Sequence, residues 1–221
     1  TPLLRMISGP FVKRLGANRW IKGVGNWWGL QHGAVVPPSV SLVPKLTGPT
    51  WAGGVISASS EFTSHVAWKT SDQRTLDDTG PDAMWTSGAT TSPQWLQVKF
   101  DTPRVLTAVR LGGPAQVAPK TFAARMPKNF IVQASDDGAA WTDLLTVANT
   151  ALWVNTPPEW KEWAVPNTQG HTYYRLYVTA PQTATYTEIS EVEWLGHPPP
   201  FVTGFFVPPI ITVTPAPPQT G

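Results

Sequence analysis

The chain has 221 residues with no cysteine, 24 prolines, 18 glycines and 12 tryptophans, and only 14% of it is charged, against about 25% in ordinary globular chains. Without cysteine it has neither a disulfide framework nor a thiolate metal site. No apolar run approaches the ~18 residues of a membrane span, and a hydrophobic content of 41% supports a sizeable core rather than general disorder. The opening residues lack a basic start followed by an apolar block, so no signal peptide is expected there.

The net charge of +2 conceals a sorted distribution. Residues 1–60 hold Arg5, Lys13, Arg14, Arg19, Lys22 and Lys45 and no acid, residues 61–196 hold all 14 acids against 10 bases, and residues 197–221 hold no Asp, Glu, Lys or Arg. A single compact unit seldom sorts its charges this way. The expected division is an arm over 1–54, a domain over 55–196 and a tail over 197–221.

The arm sets Trp20, Trp27 and Trp28 among basic residues and glycines, and its later part, Pro37-Pro38 to Pro49, is punctuated by proline and reads as extended. The tail is rich in proline and carries Phe201, Phe205, Phe206 and Ile210. It is too apolar for a solvated linker and too broken by proline for a helix. A contiguous apolar patch marks an interface, and each large side chain buried contributes roughly 1.5–3 kcal/mol. Trp20, Trp27, Trp28, Phe201, Phe205, Phe206 and Ile210 are therefore the expected assembly contacts, with wrapping around the chain's own domain as the alternative. Six separated cations are too few for a phosphate backbone, so no nucleic-acid partner is expected.

The central zone alternates with a period of two, the pattern of half-buried strands. Leu96, Val98 and Phe100 share one face of 95–100, and Val105, Val109 and Leu111 are read as one face of 105–111. A buried-type strand over 129–134 leads through Asp136-Asp137-Gly138, a turn signal, into 141–145. Further strands are expected at 160–165, 173–179 and 188–195. Short strands, frequent turn residues and no helical period predict an all-β jelly-roll sandwich.

Six ordered segments then resemble the discoidin, or factor V/VIII type C, family: Ile56–Glu61, Ala67–Lys69 through Met84–Gly88, Pro93–Phe100, Lys128–Trp141, Tyr174–Val178 and Ile189–Gly196. The resemblance covers about 55–196 and implies a discoidin-like sandwich of the kind that includes the family 32 carbohydrate-binding modules. The lead-in Val43–Thr50 looks, less specifically, like what precedes such domains in bacteriophage tail and fibre proteins.

The resemblance implies candidate sites. Sugar modules of this family use loop histidine, arginine and asparagine with an aromatic platform. Here His65, Arg125 and Tyr186 stand in three loops that converge at one end; the family's Arg-then-Asn spacing before the Lys128-Asn129-Phe130 strand is absent. Most tryptophans, including Trp85, Trp95 and Trp141, read as packing residues. The resemblance also implies a structural calcium ion held by the carbonyl at Lys69 and by Asp72, Asp77 and Glu191. Arg74 stands where an oxygen ligand is expected, and a cation repels calcium there. Either Asp77 or Asp78 takes its place, or Arg74 pairs with Asp72 or Asp77 and replaces the metal.

No catalytic residue is expected. His32, His65, His171 and His197 form no metalloprotease or nucleophile-elbow pattern, and Asp72, Asp77, Asp78 and Asp82 fall in one loop of the resembled family. Two functions follow in order. The first is a non-enzymatic assembly component of a phage-like virion (tail, baseplate, fibre or head decoration), with copies of itself and other virion proteins as partners. The absence of cysteine suits folding in a reducing host cytoplasm. The second is a secreted carbohydrate-binding module for cell-surface glycans.

Overall fold

The computed structural model describes residues 39–73, 84–114, 122–153 and 159–197, together with three short strands nearer the N-terminus. The chain divides into two units, Thr1–Pro38 and Ser39–Gly221. In the first, β1 (Arg5–Ile7), β2 (Trp20–Lys22) and β3 (Trp27–Gly29) form an antiparallel sheet in the order β1-β3-β2. Its register sets Met6 and Ile21 opposite Trp28, Ile7 and Lys22 opposite Trp27, and Trp20 opposite Gly29. The three arm tryptophans thus lie on two neighbouring strands of a small sheet. Phe201, Phe205, Phe206 and Ile210 lie outside the described residues.

The second unit holds β4 (Val40–Ser41), β5 (Thr50–Trp51), β6 (Gly54–Ala58), β7 (Trp85–Thr86), β8 (Gln94–Gly112), β9 (Pro127–Ser135), β10 (Thr142–Val147), β11 (Trp160–Ala164), β12 (His171–Pro181), β13 (Glu188–Ile189) and β14 (Glu191–His197). Two short 3₁₀ turns, Ala67–Ser71 and Phe122–Arg125, complete it. The architecture is the expected all-β sandwich. One layer runs β10-β9-β12-β8-β6-β5 and the other β11-β8-β14-β4, all neighbours antiparallel. A separate two-stranded ribbon pairs β7 with β13. The core between the layers includes Trp85, Phe100, Phe130, Tyr174 and Trp194, each at most 1% exposed.

The expected start of the domain is corrected by this topology. Residues 39–54 belong to the sandwich: β4 pairs with β14, β5 pairs with β6, and Val43 and Leu46 are core residues at 2% exposure each. Their prolines made the stretch read as arm. Yet only short two-residue strands are needed at these sheet edges, where proline is tolerated.

The two strands expected at 95–100 and 105–111 are one strand. Residues 94–100 of β8 pair with β6 and β12 in the first layer; residues 105–112 pair with β11 and β14 in the second. Between them the chain turns the corner of the sandwich through exposed Asp101, Thr102 and Pro103. Alternation then slips. Leu195 faces Ala108 but Gly196 faces Leu106, so Thr107 is an extra residue on β8, and a bulge of this kind shifts which side chains face inward. Leu106, not Val105, joins Val109 and Leu111 in the core at 0% exposure.

A single buried hydroxyl holds this corner. Tyr174 Oη, reaching across from β12, donates to the Arg104 carbonyl at 2.6 Å and accepts the Leu106 amide at 3.3 Å and the Asn167 side-chain amide at 3.2 Å. Burial is the main cause that pushes its pKa up, so it stays a neutral phenol. Gly196 marks the same crossing: a Cβ there would overlap the Val105 carbonyl and Leu42.

The tight β9–β10 turn follows its sequence signal. Ser135 Oγ accepts the amides of Asp137 and Gly138, the Asp137 carboxylate accepts those of Ala139 and Ala140, and Gly138 has φ 75°. These bonds, that from Ala139 first, hold the Asp137 carboxyl below its ordinary range.

Tyr174→Phe should keep the fold and lower its stability by about 1–3 kcal/mol, because a buried amide and a half-buried carbonyl at the corner lose their partner. Urea denaturation measures the loss; an unchanged midpoint would remove the hydroxyl from the account.

Candidate functional site

Three loops meet at one end of the sandwich, and main-chain bonds lock each to the next. The segment after β6 makes a tight turn in which the His65 amide donates to the Phe62 carbonyl at 2.9 Å, with Thr63 at φ 49°. This turn lies along β7: the Phe62 amide donates to Thr86 at 2.9 Å, and the Thr86 amide to His65 at 3.2 Å. On the other side of β7, Ser87 and Thr187 exchange two bonds, Ser87 N to the Thr187 carbonyl and Thr187 N to Ser87 Oγ. The loop 182–186 is tied in turn to the 3₁₀ turn 122–125, since the Thr183 and Ala184 amides both donate to the Ala124 carbonyl.

This lacing gathers His65, Arg125 and Tyr186 into one cluster. The Phe62 ring stands between two of them, 6.1 Å from the His65 ring and edge-on to Tyr186 at 5.7 Å. The Arg125 guanidinium lies over the Tyr186 ring, 5.7 Å from its centroid. Phe62 is 43% exposed, on a turn fixed by main-chain bonds. The cluster therefore presents an apolar ring surface flanked by an imidazole and a guanidinium.

Beneath it sits Glu188. Its side chain is fully buried, and Oε2 accepts from Arg125 Nη1 at 3.3 Å and from Thr86 Oγ1 at 3.2 Å. Oε1 is buried without a hydrogen-bond partner. Burial drives its pKa up to about 7, against the opposing pull of Arg125 and Thr86.

Sequence reasoning missed both Phe62 and Glu188. Phe62 looks like any loop residue until the turn exposes it. Glu188 falls in a stretch that reads as one strand over 188–195, whereas Ser190 interrupts that strand and gives Glu188 and Ile189 to the β7 ribbon. The one available signal was an acid among the apolar and hydroxyl-bearing residues of 183–190.

The tryptophans divide. Trp85 is core and donates its indole N–H to the Ser60 carbonyl at 2.9 Å. Trp95 and Trp141 are half-buried on the sheet exterior, where Trp141 stacks on Arg175 at 3.8 Å.

Of the residues named for a metal, Lys69 and Asp72 lie at the end of the first 3₁₀ turn and Glu191 opens β14. Ser71 Oγ donates to the Val192 carbonyl at 3.4 Å, which joins the two elements. Asp72 and Glu191 are each 4% exposed. Asp77 lies outside the described residues. Among the described residues no three His, Asp or Glu side chains gather as a metal-binding group. Buried carboxylates are nevertheless oxygen donors of the kind a hard cation takes. Asp72 and Glu191 would hold it, and it would neutralise their charge. A cavity of about 350 Å³ is lined by Glu191 together with residues that include Ser71, Gln73, Trp160 and Glu193.

Residues 55–192 match the F5/8 type C domain, and the chain belongs to that family. No curated protein matches the chain. Among solved structures it is similar to CpGH89CBM32-5 of Clostridium perfringens in complex with GalNAc-β-1,3-galactose, at 11% identity and TM-score 0.50, covering 65% of this chain and 95% of that one. The family 32 module of C. perfringens NanJ in complex with galactose follows at 14% identity and TM-score 0.49, covering 64% and 93%. Chitosan-binding module 2 of the Paenibacillus sp. IK-5 chitosanase/glucanase, in complex with chitotriose, stands at 17% identity and TM-score 0.47, covering 65% and 96%. At such identities the likeness is one of fold.

Glu188 generates a pH prediction. Its carboxyl holds a proton more tightly in the folded protein than at the ordinary value of 4.5, so its contribution to stability is full below about 4.5 and fades as pH rises through about 7. Glu188→Gln should therefore abolish a pH-dependent contribution on the order of 3 kcal/mol at most. Denaturation of both proteins across this window measures it; parallel curves would exclude Glu188 as the source.

Proposed function

We propose that this protein is a non-catalytic carbohydrate-binding module. The observation that carries the reading is the solvent-exposed Phe62 ring set rigidly between His65 and the Arg125–Tyr186 pair. Sugars are recognised by an apolar ring against their C–H face and by polar groups that fix the hydroxyls. Phe62 supplies the face, and His65 and Arg125 supply the hydrogen-bonding groups. Membership of the F5/8 type C family supports the same reading, as do the glycan complexes of the similarly folded C. perfringens modules. The ligand proposed is a neutral glycan with a galactose-type terminus, met outside the cell.

Virion assembly, which the sequence places first, takes second place. It rests on extremities of which the structure describes only three strands, and the tail and fibre likeness gains no support from the family match. The two readings are compatible if the module rides on a surface appendage. The mass of the particle in solution, with and without residues 198–221, tests assembly directly.

Galactose-terminated glycans should bind the chain, and Phe62→Ala, His65→Ala and Arg125→Ala should each weaken binding by about tenfold. Glycan-array screening followed by calorimetry reads this. A blank array with folded protein would remove the proposal.

We propose further that a calcium ion joins the end of the first 3₁₀ turn to the start of β14 through Asp72 and Glu191. Calcium added to chelator-treated protein should then raise Tm with ion concentration, as any ligand of the folded state does. A Tm indifferent to both calcium and chelator would remove the ion from the account.

A further inference from the structure

We propose that Glu188 is the positioning residue of this site: its buried carboxylate holds the Arg125 guanidinium where a sugar hydroxyl can meet it, so protonation of that carboxyl weakens sugar binding. The inference rests on the sugar-binding reading above and deepens it.

The geometry has three parts. Arg125 ends a single short 3₁₀ turn, and its side chain is 34% exposed, so the local backbone alone leaves a long and flexible side chain poorly directed. Its contacts include the Tyr186 ring beneath the guanidinium and Glu188 Oε2 at 3.3 Å. Glu188 is itself immobilised. It is fully enclosed, β13 is paired to β7, and Thr86 Oγ1 holds the same oxygen that Arg125 uses. A charge-assisted bond to a fixed acceptor is stronger and more directional than one to a neutral acid.

A carboxylate this deeply buried is costly, and the orphaned Oε1 adds to the cost. A solely structural position would be served equally well by an apolar residue. With a pKa of about 7, the carboxyl changes charge within the neutral range. Among the described residues, the ionisable groups on the elements around it include Arg125 from the 3₁₀ turn, Tyr186 from the adjoining loop, His65, whose carbonyl holds Thr86, and Glu61, whose carboxylate accepts the Ala67 amide. Imidazoles also titrate between pH 5 and 8 as a class, so His65 must be separated from Glu188 by experiment.

Calorimetry of the full chain with galactose, from about pH 8.5 to about pH 5.5, does this. Wild-type affinity should fall by about fivefold over the range. Glu188→Gln, verified as folded by circular dichroism, should bind more weakly at the alkaline end and show no such fall. His65→Ala should bind more weakly throughout and retain the fall. A Glu188→Gln curve that tracks wild type, or a flat His65→Ala curve, would overturn the proposal. A second measurement needs no ligand. The ¹⁵Nε resonance of Arg125 should move with a midpoint near pH 7 in wild type and stay still in Glu188→Gln. A wild-type resonance indifferent to pH overturns the inference whatever the sugar does. Absence of galactose binding at every pH sinks the sugar reading alone, and the resonance still decides whether Glu188 positions Arg125.

Discussion

Both layers of the sandwich share one strand, and that strand must cross between them without leaving buried main-chain groups unbonded. The crossing in β8 satisfies its polar groups in two ways. Asp101 to Pro103 face water, which bonds what the sheets do not. The inner side at Arg104 and Leu106 is bonded by the Tyr174 hydroxyl, with Asn167 behind it. Because Tyr174 belongs to β12, the bond also fixes the distance between the layers. The Thr107 bulge and the missing Cβ of Gly196 then let β14 approach the second half of β8 in a shifted register.

The far end of the sandwich depends on that rigidity. The ribbon of β7 and β13 is only two residues deep, yet it links the loops that carry Phe62, His65 and Tyr186. Side chains on long flexible loops lose conformational entropy when they bind a ligand. Here the entropy is lost on folding, through main-chain bonds that leave the Phe62 ring exposed. The same ribbon brings Glu188 beneath Arg125, so the element that shapes the loop cluster also sets its charge.

Much of the sandwich is legible in the chain because strands with one buried face impose a period of two. Leu96, Val98 and Phe100 show it, as do Phe130, Val132 and Ala134, all at most 1% exposed. The reading failed where periodicity is interrupted or too short to register. The Thr107 bulge moved the inward face from Val105 to Leu106, and two-residue strands such as β4, β5 and β13 carry no measurable period. The candidate site was partly legible: family resemblance named His65, Arg125 and Tyr186, which the structure places together. Phe62 and Glu188 were not, since exposure and burial arise from neighbours distant in the chain.

The sequence by itself determined the all-β class, the family, the β9–β10 turn and three members of the loop cluster. Each of these depends on local spacing or on residues that keep their order along the chain. Tertiary structure alone decided that residues 39–54 complete the sandwich, that one strand serves both layers, that Phe62 is presented to solvent and that an ionisable acid lies under Arg125. All four are outcomes of long-range pairing. Which segment covers a sheet edge, or encloses a carboxyl, is settled by chain parts far apart in sequence that meet only when the protein folds.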